Sequence, residues 1–81
     1  MVPKLLDVTY VANYTLHLRF ADGEEGNIDL SNELNGPIFE PLQDTGYFQK
    51  ATLNKDIHTV VWPNGADFSP EYLYRLIKVP A

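Results

Sequence analysis

Thr59-Val60-Val61-Trp62-Pro63-Asn64-Gly65-Ala66-Asp67-Phe68-Ser69-Pro70-Glu71-Tyr72-Leu73 reads as a buried strand, a sharp loop and a capped helix in immediate succession. Residues 59–62 are β-branched and aromatic, which suits a strand packed on at least one face. Pro63 has no N–H to give a ladder, so the strand ends there or lies on an edge. Asn64 and Gly65 both tolerate positive φ and form a turn dipeptide. Ser69 is placed to cap a helix, Pro70 to take its first position, and Glu71 to sit beside the positive end of its dipole. Tyr72, Leu73, Leu76 and Ile77 follow at helical spacing and make one apolar face. Arg75 and Lys78 fall in the last turn, where cations are favoured, and Pro80 is expected to stop the helix.

Upstream of this block, residues 51–53 read as a short strand, and Asn54-Lys55-Asp56 turns the chain into the strand that ends at Trp62. Residues 31–34 suit a single helical turn capped by Ser31 or Asn32, which Asn35-Gly36-Pro37 interrupts. Residues 39–42 and 45–49 suit further short helical turns laid over a sheet, and their Gly and Pro content forbids a long helix. Ile38, Phe39, Leu42 and Phe48 are expected to cover the core.

The N-terminal third is a run of strands. In residues 14–20, Tyr14, Leu16, Leu18 and Phe20 alternate strictly with Thr15, His17 and Arg19. Residues 5–11 form a strand before it, with Leu6, Val8 and Tyr10 on one face and Asp7 and Thr9 on the other; Ala12-Asn13 is the turn between the two. Ala21-Asp22-Gly23 closes a hairpin and residues 24–30 return. A two-residue loop would set Leu18 opposite Asn27 and Leu16 opposite Asp29, mixing apolar and polar. A three-residue loop with a left-handed Gly23 sets Leu16 opposite Ile28, Tyr14 opposite Leu30, Arg19 opposite Glu25 and His17 opposite Asn27. The second register is preferred, because one face then becomes wholly apolar or glycine apart from Glu24 at the turn. The fold class is therefore α+β, a single domain over residues 1–81. It comprises a small, mainly antiparallel, twisted sheet of about five strands, short helical turns in the middle, and one C-terminal helix packed on the sheet.

Eighty-one residues bound the core: a protein this short buries about 60–65% of its unfolded surface. A hydrophobic fraction of 44% with four Phe, five Tyr and one Trp supports a globular core and argues against disorder. Six basic and eleven acidic residues give a net charge of −5, which opposes attraction to phosphate backbones and anionic lipid. There is no cysteine for a disulfide framework, a zinc ribbon or a thiol nucleophile. Neither a signal-peptide pattern nor a membrane-spanning apolar run occurs, so a cytoplasmic location is expected.

Candidate chemistry is sparse. His17 lies on the polar face of the second strand near Asn27 and Asp29, and His58 lies at a hairpin near Asp56, within conceivable reach of Asp67. A His-plus-carboxylate set of His58, Asp56 and Asp67 could serve a small metal-dependent hydrolase. No HxH, HxxxH or HxxE spacing forces two ligands together, so surface histidines are the simpler account. Asp29, Asp67 and Glu71 could cluster for hydrolysis, yet Asp67 and Glu71 already gain from the helix dipole. Ser69 lacks a nucleophile elbow and fits a cap. Gly65-Ala66-Asp67 lacks the glycine spacing and lysine of a phosphate loop. Trp62 could stack on a base or sugar, but with no flanking Arg or Lys it suits a core anchor better. Tyr72 joins the packed face, whereas Tyr74, about 200° round the helix from it, is expected to face solvent and to make a contact patch with Arg75 and Lys78, since tyrosine and arginine are enriched in binding hot spots; an ordinary surface tyrosine is the simpler account.

Two blocks, Trp62-Pro63-Asn64-Gly65-Ala66-Asp67 and Phe20-Ala21-Asp22-Gly23-Glu24, together resemble a family of short prokaryotic proteins, domain of unknown function family 2442. The resemblance extends over nearly the whole sequence. The C-terminal block is fairly specific, and the aspartate-glycine hairpin alone is weak. Members often show Gly-Thr-Ile-x-Trp where this sequence has His58-Thr59-Val60-Val61-Trp62. That substitution argues against a family-wide metal role for His58. The resemblance implies no established activity and supplies no catalytic, cofactor or metal residue. Some relatives look like this domain fused to a C-terminal helix-turn-helix; this sequence carries no such segment, so DNA reading by that route is not expected. Others lie beside small toxin-like genes, which implies an antitoxin-like accessory subunit by association.

The expectation is thus a small acidic domain that binds a protein partner, such as a small basic protein, and performs no chemistry; the metal-dependent hydrolase is the alternative. Asn64, Asp67, Glu71, Tyr74 and Arg75 are the candidate contacts. No cofactor, membrane or nucleic-acid partner is expected, and an open sheet edge offers a route to a homodimer.

Overall fold

The alternation in residues 14–20 produces the central strand of the molecule. In the computed structural model, which describes residues 2–78, Thr15–Phe20 (β2) pairs antiparallel with Leu5–Ala12 (β1) on one side and Glu25–Asp29 (β3) on the other. Leu16 stands opposite Ile28, His17 opposite Asn27 and Arg19 opposite Glu25. The Leu30 N–H donates to the Tyr14 carbonyl at 2.9 Å, extending the ladder by one step. This is the register that gathers the apolar side chains: Leu16, Leu18, Phe20, Ile28 and Leu30 are all buried. One residue of slip would have turned them to solvent.

β1 departs from simple alternation. Leu5 enters the core, and Leu6, expected there, is 43% exposed. The register steps from Leu5 opposite Phe20 to Asp7 opposite Arg19, so Leu6 is the extra residue of a bulge. A second irregularity between Tyr10 and Ala12 leaves Val11 outside. Between the bulges the expected faces hold: Val8 and Tyr10 are half-buried against the core, and Asp7 and Thr9 are exposed. The turn falls on Asn13 and Tyr14, with Asn13 left-handed at φ +48°.

Three short helical pieces then cross the core: 3-10 turns at Ser31–Glu33 and Glu40–Gln43, and one α-turn at Thr45–Phe48 (α1). Neither Ser31 nor Asn32 caps the first. Instead the Asp29 carboxylate accepts from the Ser31 N–H at 2.8 Å. Leu34, Leu42 and Phe48 are buried and Phe39 is half-buried, but Ile38 is exposed: the backbone reverses at Gly36, φ +91°, and brings Phe39 inward instead.

Thr52–Asn54 (β4) and Thr59–Val61 (β5) pair with each other, Leu53 opposite Val60, and with no strand of the first sheet. The five strands therefore divide into a three-stranded and a two-stranded antiparallel sheet. Aromatic rings link them by way of Phe48, on which Tyr10 of β1 packs at 6.2 Å. Phe48 packs on Trp62 at 5.5 Å between ring centroids, Trp62 on Phe68 at 5.9 Å, and Phe68 on Phe39 at 5.0 Å. Pro70–Lys78 (α2) closes the fold against β3. Ser69 caps it as expected, its Oγ accepting from the Tyr72 N–H at 3.1 Å. Leu73 is fully buried, Tyr72, Leu76 and Ile77 half so, and Ile77 lies over Gly26, where a Cβ would meet it at 3.7 Å. The expected stop at Pro80 lies outside the described residues.

Candidate functional site

The Trp-Pro-Asn-Gly-Ala-Asp block is a turn, and its geometry occurs twice. At residues 62–66 the Gly65 N–H donates to the Trp62 carbonyl at 3.0 Å and the Trp62 N–H to the Ala66 carbonyl at 2.9 Å. At residues 20–24 the Gly23 N–H donates to the Phe20 carbonyl at 3.1 Å and the Phe20 N–H to the Glu24 carbonyl at 2.8 Å. Gly65 and Gly23 have φ of +89° and +91°. In each loop the residue before the glycine accepts, through its side-chain oxygen, the N–H two positions on: Asn64 from Ala66 and Asp22 from Glu24, both at 3.0 Å. Both are three-residue hairpin loops with a glycine bulge, and an isolated bridge from Val61 to Asp67 continues the second hairpin.

Polar groups of the C-terminal block are consumed in holding it. The Asn64 amide also donates to the Ile38 carbonyl at 2.9 Å. The Trp62 indole N–H donates to the Phe48 carbonyl at 2.9 Å, and the buried Thr59 hydroxyl donates to the Phe68 carbonyl. Trp62 is thus a core anchor, 3% exposed, and not a stacking platform.

The turn at residues 20–24 is held from outside, by α2. Tyr74 does not face solvent as expected. Its ring packs edge-on against Phe20 at 5.0 Å, and its hydroxyl donates to the Asp22 carboxylate at 2.6 Å. Lys78, one helical turn on, reaches Glu24 at 3.2 Å. The Tyr74 hydrogen bond, then the Glu24 N–H, hold the Asp22 carboxyl below its ordinary value, and the same bond pushes the Tyr74 phenol up to about 12. On the other side of the helix, the Tyr72 hydroxyl donates to Glu33, which raises its pKa as well.

The expected contact residues divide by what holds them. Asn64 and Tyr74 are tied internally, while Asp67, Glu71 and Arg75 are exposed, the last two one turn apart on α2. His58 sits left-handed at φ +54° in the β4–β5 turn, its N–H donating to the Asn54 carbonyl at 2.7 Å. Among the described residues no three His, Asp or Glu side chains come together as a metal-holding group, so His58, Asp56 and Asp67 do not converge as the hydrolase alternative requires.

A different surface is the most organised one. The three-stranded sheet has one face on the core and one open. The open face carries Asp7, Arg19 and Glu25 in one cross-strand row, and Thr9, His17 and Asn27 in the next, followed by Thr15 and Asp29. All are exposed except the half-buried Thr15 and His17. His17 lies 2.8 Å from the Asn27 side-chain oxygen and 3.2 Å from Glu25, and Arg19 reaches Asp7 at 3.7 Å. Arg19 therefore leaves its cross-strand neighbour Glu25 to His17. The period-two polar residues of the sequence signalled this face; what they could not signal is that it stays exposed among the described residues.

Together these features define a small two-sheet α+β domain, closed by one capped helix, with two matching glycine-bulge loops. The chain belongs to the family described as Protein of unknown function (DUF2442), whose profile matches residues 5–79. Among curated proteins and among solved structures nothing matches it. No helix among the described residues is long and apolar enough to cross a membrane.

Proposed function

We propose that the domain is a non-catalytic module that binds a small basic protein on the open face of its three-stranded sheet, in the manner of an antitoxin-like accessory subunit. The observation that carries this reading is the composition of that face. Asp7, Glu25 and Asp29 are exposed on it against one formal cation, Arg19, in a protein of net charge −5. A rigid, hydrogen-bonded ladder presents these carboxylates at fixed spacing, which favours electrostatic complementarity with a cationic surface. Exposed ion pairs such as Arg19–Asp7 stabilise a fold little, so their partners are free to be re-paired on binding.

The test is capture by the tagged protein from the native organism, at low and moderate salt, read by mass spectrometry. A basic protein recovered in near-equal amount supports the reading if the triple change Asp7→Lys, Glu25→Lys, Asp29→Lys abolishes its capture and Glu71→Lys on α2 does not. Its association rate should also fall steeply with added salt. Capture that survives the triple change rules this face out.

A further inference from the structure

Two Asn-Gly pairs occur in the sequence, Asn35-Gly36 and Asn64-Gly65. In such a pair the glycine amide nitrogen, with no Cβ beside it, can attack the carbonyl carbon of the asparagine carboxamide. A new C–N bond closes a cyclic imide, the carboxamide's own C–N bond breaks, and its nitrogen leaves as ammonia with the proton the glycine amide has given up. Water then opens the ring to aspartate or isoaspartate. No co-reactant beyond water is needed. The glycine N–H must be free to lose its proton, and the asparagine carboxamide must be free to swing onto it.

We infer that Asn35-Gly36 is a site of spontaneous deamidation in the folded protein, and that the fold withholds Asn64-Gly65 from the same reaction. Every atom the reaction needs at Asn64 is engaged. The Gly65 N–H donates to the Trp62 carbonyl at 3.0 Å, the Asn64 oxygen accepts from Ala66 at 3.0 Å, and its nitrogen donates to the Ile38 carbonyl at 2.9 Å. At the other pair, Asn35 and Gly36 are both exposed. The Asn35 amide makes a single surface bond to the Asn32 carbonyl at 3.1 Å, and among the described residues the Gly36 N–H donates to no acceptor. The pair lies between two 3-10 turns, outside any ladder or helix that would resist its rearrangement. Asn64 can react only when its loop opens, so its rate carries the population of the open state as a factor. Reaction at Asn35 adds a negative charge beside the buried Leu34 and, as isoaspartate, lengthens the backbone there by one methylene.

The experiment is incubation of the folded protein at mildly alkaline pH, with a parallel sample in denaturing urea. Both are digested, and the amide-to-acid mass gain is followed at each pair. In the folded protein Asn35 should convert many times faster than Asn64; in urea the two should convert at similar rates. Equal rates in the folded protein would overturn the inference, and so would the absence of conversion at Asn35. A difference that persists unchanged in urea would overturn it too, since the selectivity would then belong to the neighbouring residues and not to the fold.

Discussion

Gly23 and Gly65 show how a single position can matter through its backbone alone. Both sit near φ +90°, and a Cβ built on either meets no atom within 4 Å. An alanine there suffers no clash with its surroundings, only the local penalty of a left-handed L-residue, about 1–2 kcal/mol. Gly23→Ala and Gly65→Ala should each lower the urea midpoint accordingly, with the slope unchanged. The double change should be additive, because the loops share no partner. A Gly65→Ala protein as stable as the parent would mean that the loop closes in some other way. These glycines were legible in the sequence as turn residues. Their equivalence was not, because Pro63 and Ala21 give the two loops different spellings. Leu5 and Leu6 show the opposite limit: two adjacent leucines carry no phase information, so only the bulge decides which is buried.

At the scale of the element, α2 was the most readable part of the sequence, because cap, first-turn proline, dipole charges and apolar spacing agree. Ser69→Ala should cost about 1 kcal/mol by removing the acceptor for the Tyr72 N–H, seen as a lower melting temperature. A helical wheel, however, cannot say what lies opposite. Tyr74 finds Asp22 across 52 residues of sequence, and the contact has a defined pH range. Asp22 has a lowered carboxyl pKa, so its contribution is complete above the ordinary carboxylate value and lost as pH falls through the lowered one. Tyr74 has a raised phenol pKa, so its contribution is complete below the ordinary tyrosine value and lost as pH rises through about 12. Both hold together between about pH 4 and about pH 10. In a phenolate absorbance titration, Tyr74→Phe should remove the component near 12, and Asp22→Asn should shift it toward the ordinary value. A component that survives Tyr74→Phe belongs elsewhere. The division of the strands into two sheets was similarly hidden: the turn at residues 54–56 announced the β4–β5 hairpin, but nothing in strands this short says that it stands apart from the other three.

At the scale of the whole molecule, aromatic contacts join parts that no strand ladder joins. Trp62 links the two-stranded sheet to α1, by ring packing on Phe48 and by its indole N–H on the Phe48 carbonyl. Trp62→Phe keeps much of the packing and removes one of the two hydrogen bonds to that carbonyl, the Ala51 N–H at 3.2 Å remaining, a loss of about 0.5–1.5 kcal/mol. In a domain this small that is a large share of the total. Calorimetry should show a drop in melting temperature, and an unchanged value would discount the hydrogen bond as a fastening between the two-stranded sheet and α1. Exposure, by contrast, is a property of the whole that no local pattern contains. Sequence polarity marked Asp67, Glu71 and Arg75 as readily as Asp7, Glu25 and Asp29. Only the packed structure shows that the second set belongs to an ordered ladder that stays exposed among the described residues.

The repeated loop also bears on how relatives of this protein should be compared. A stretch whose spelling is dictated by the need to reverse the backbone serves as a registration mark: it lets sequences be laid over one another, and it says little about what any of them does. The diversity that distinguishes one member's role from another's is better sought between the two marks and in the strands leading into them, where residues are free to vary without unmaking the turn.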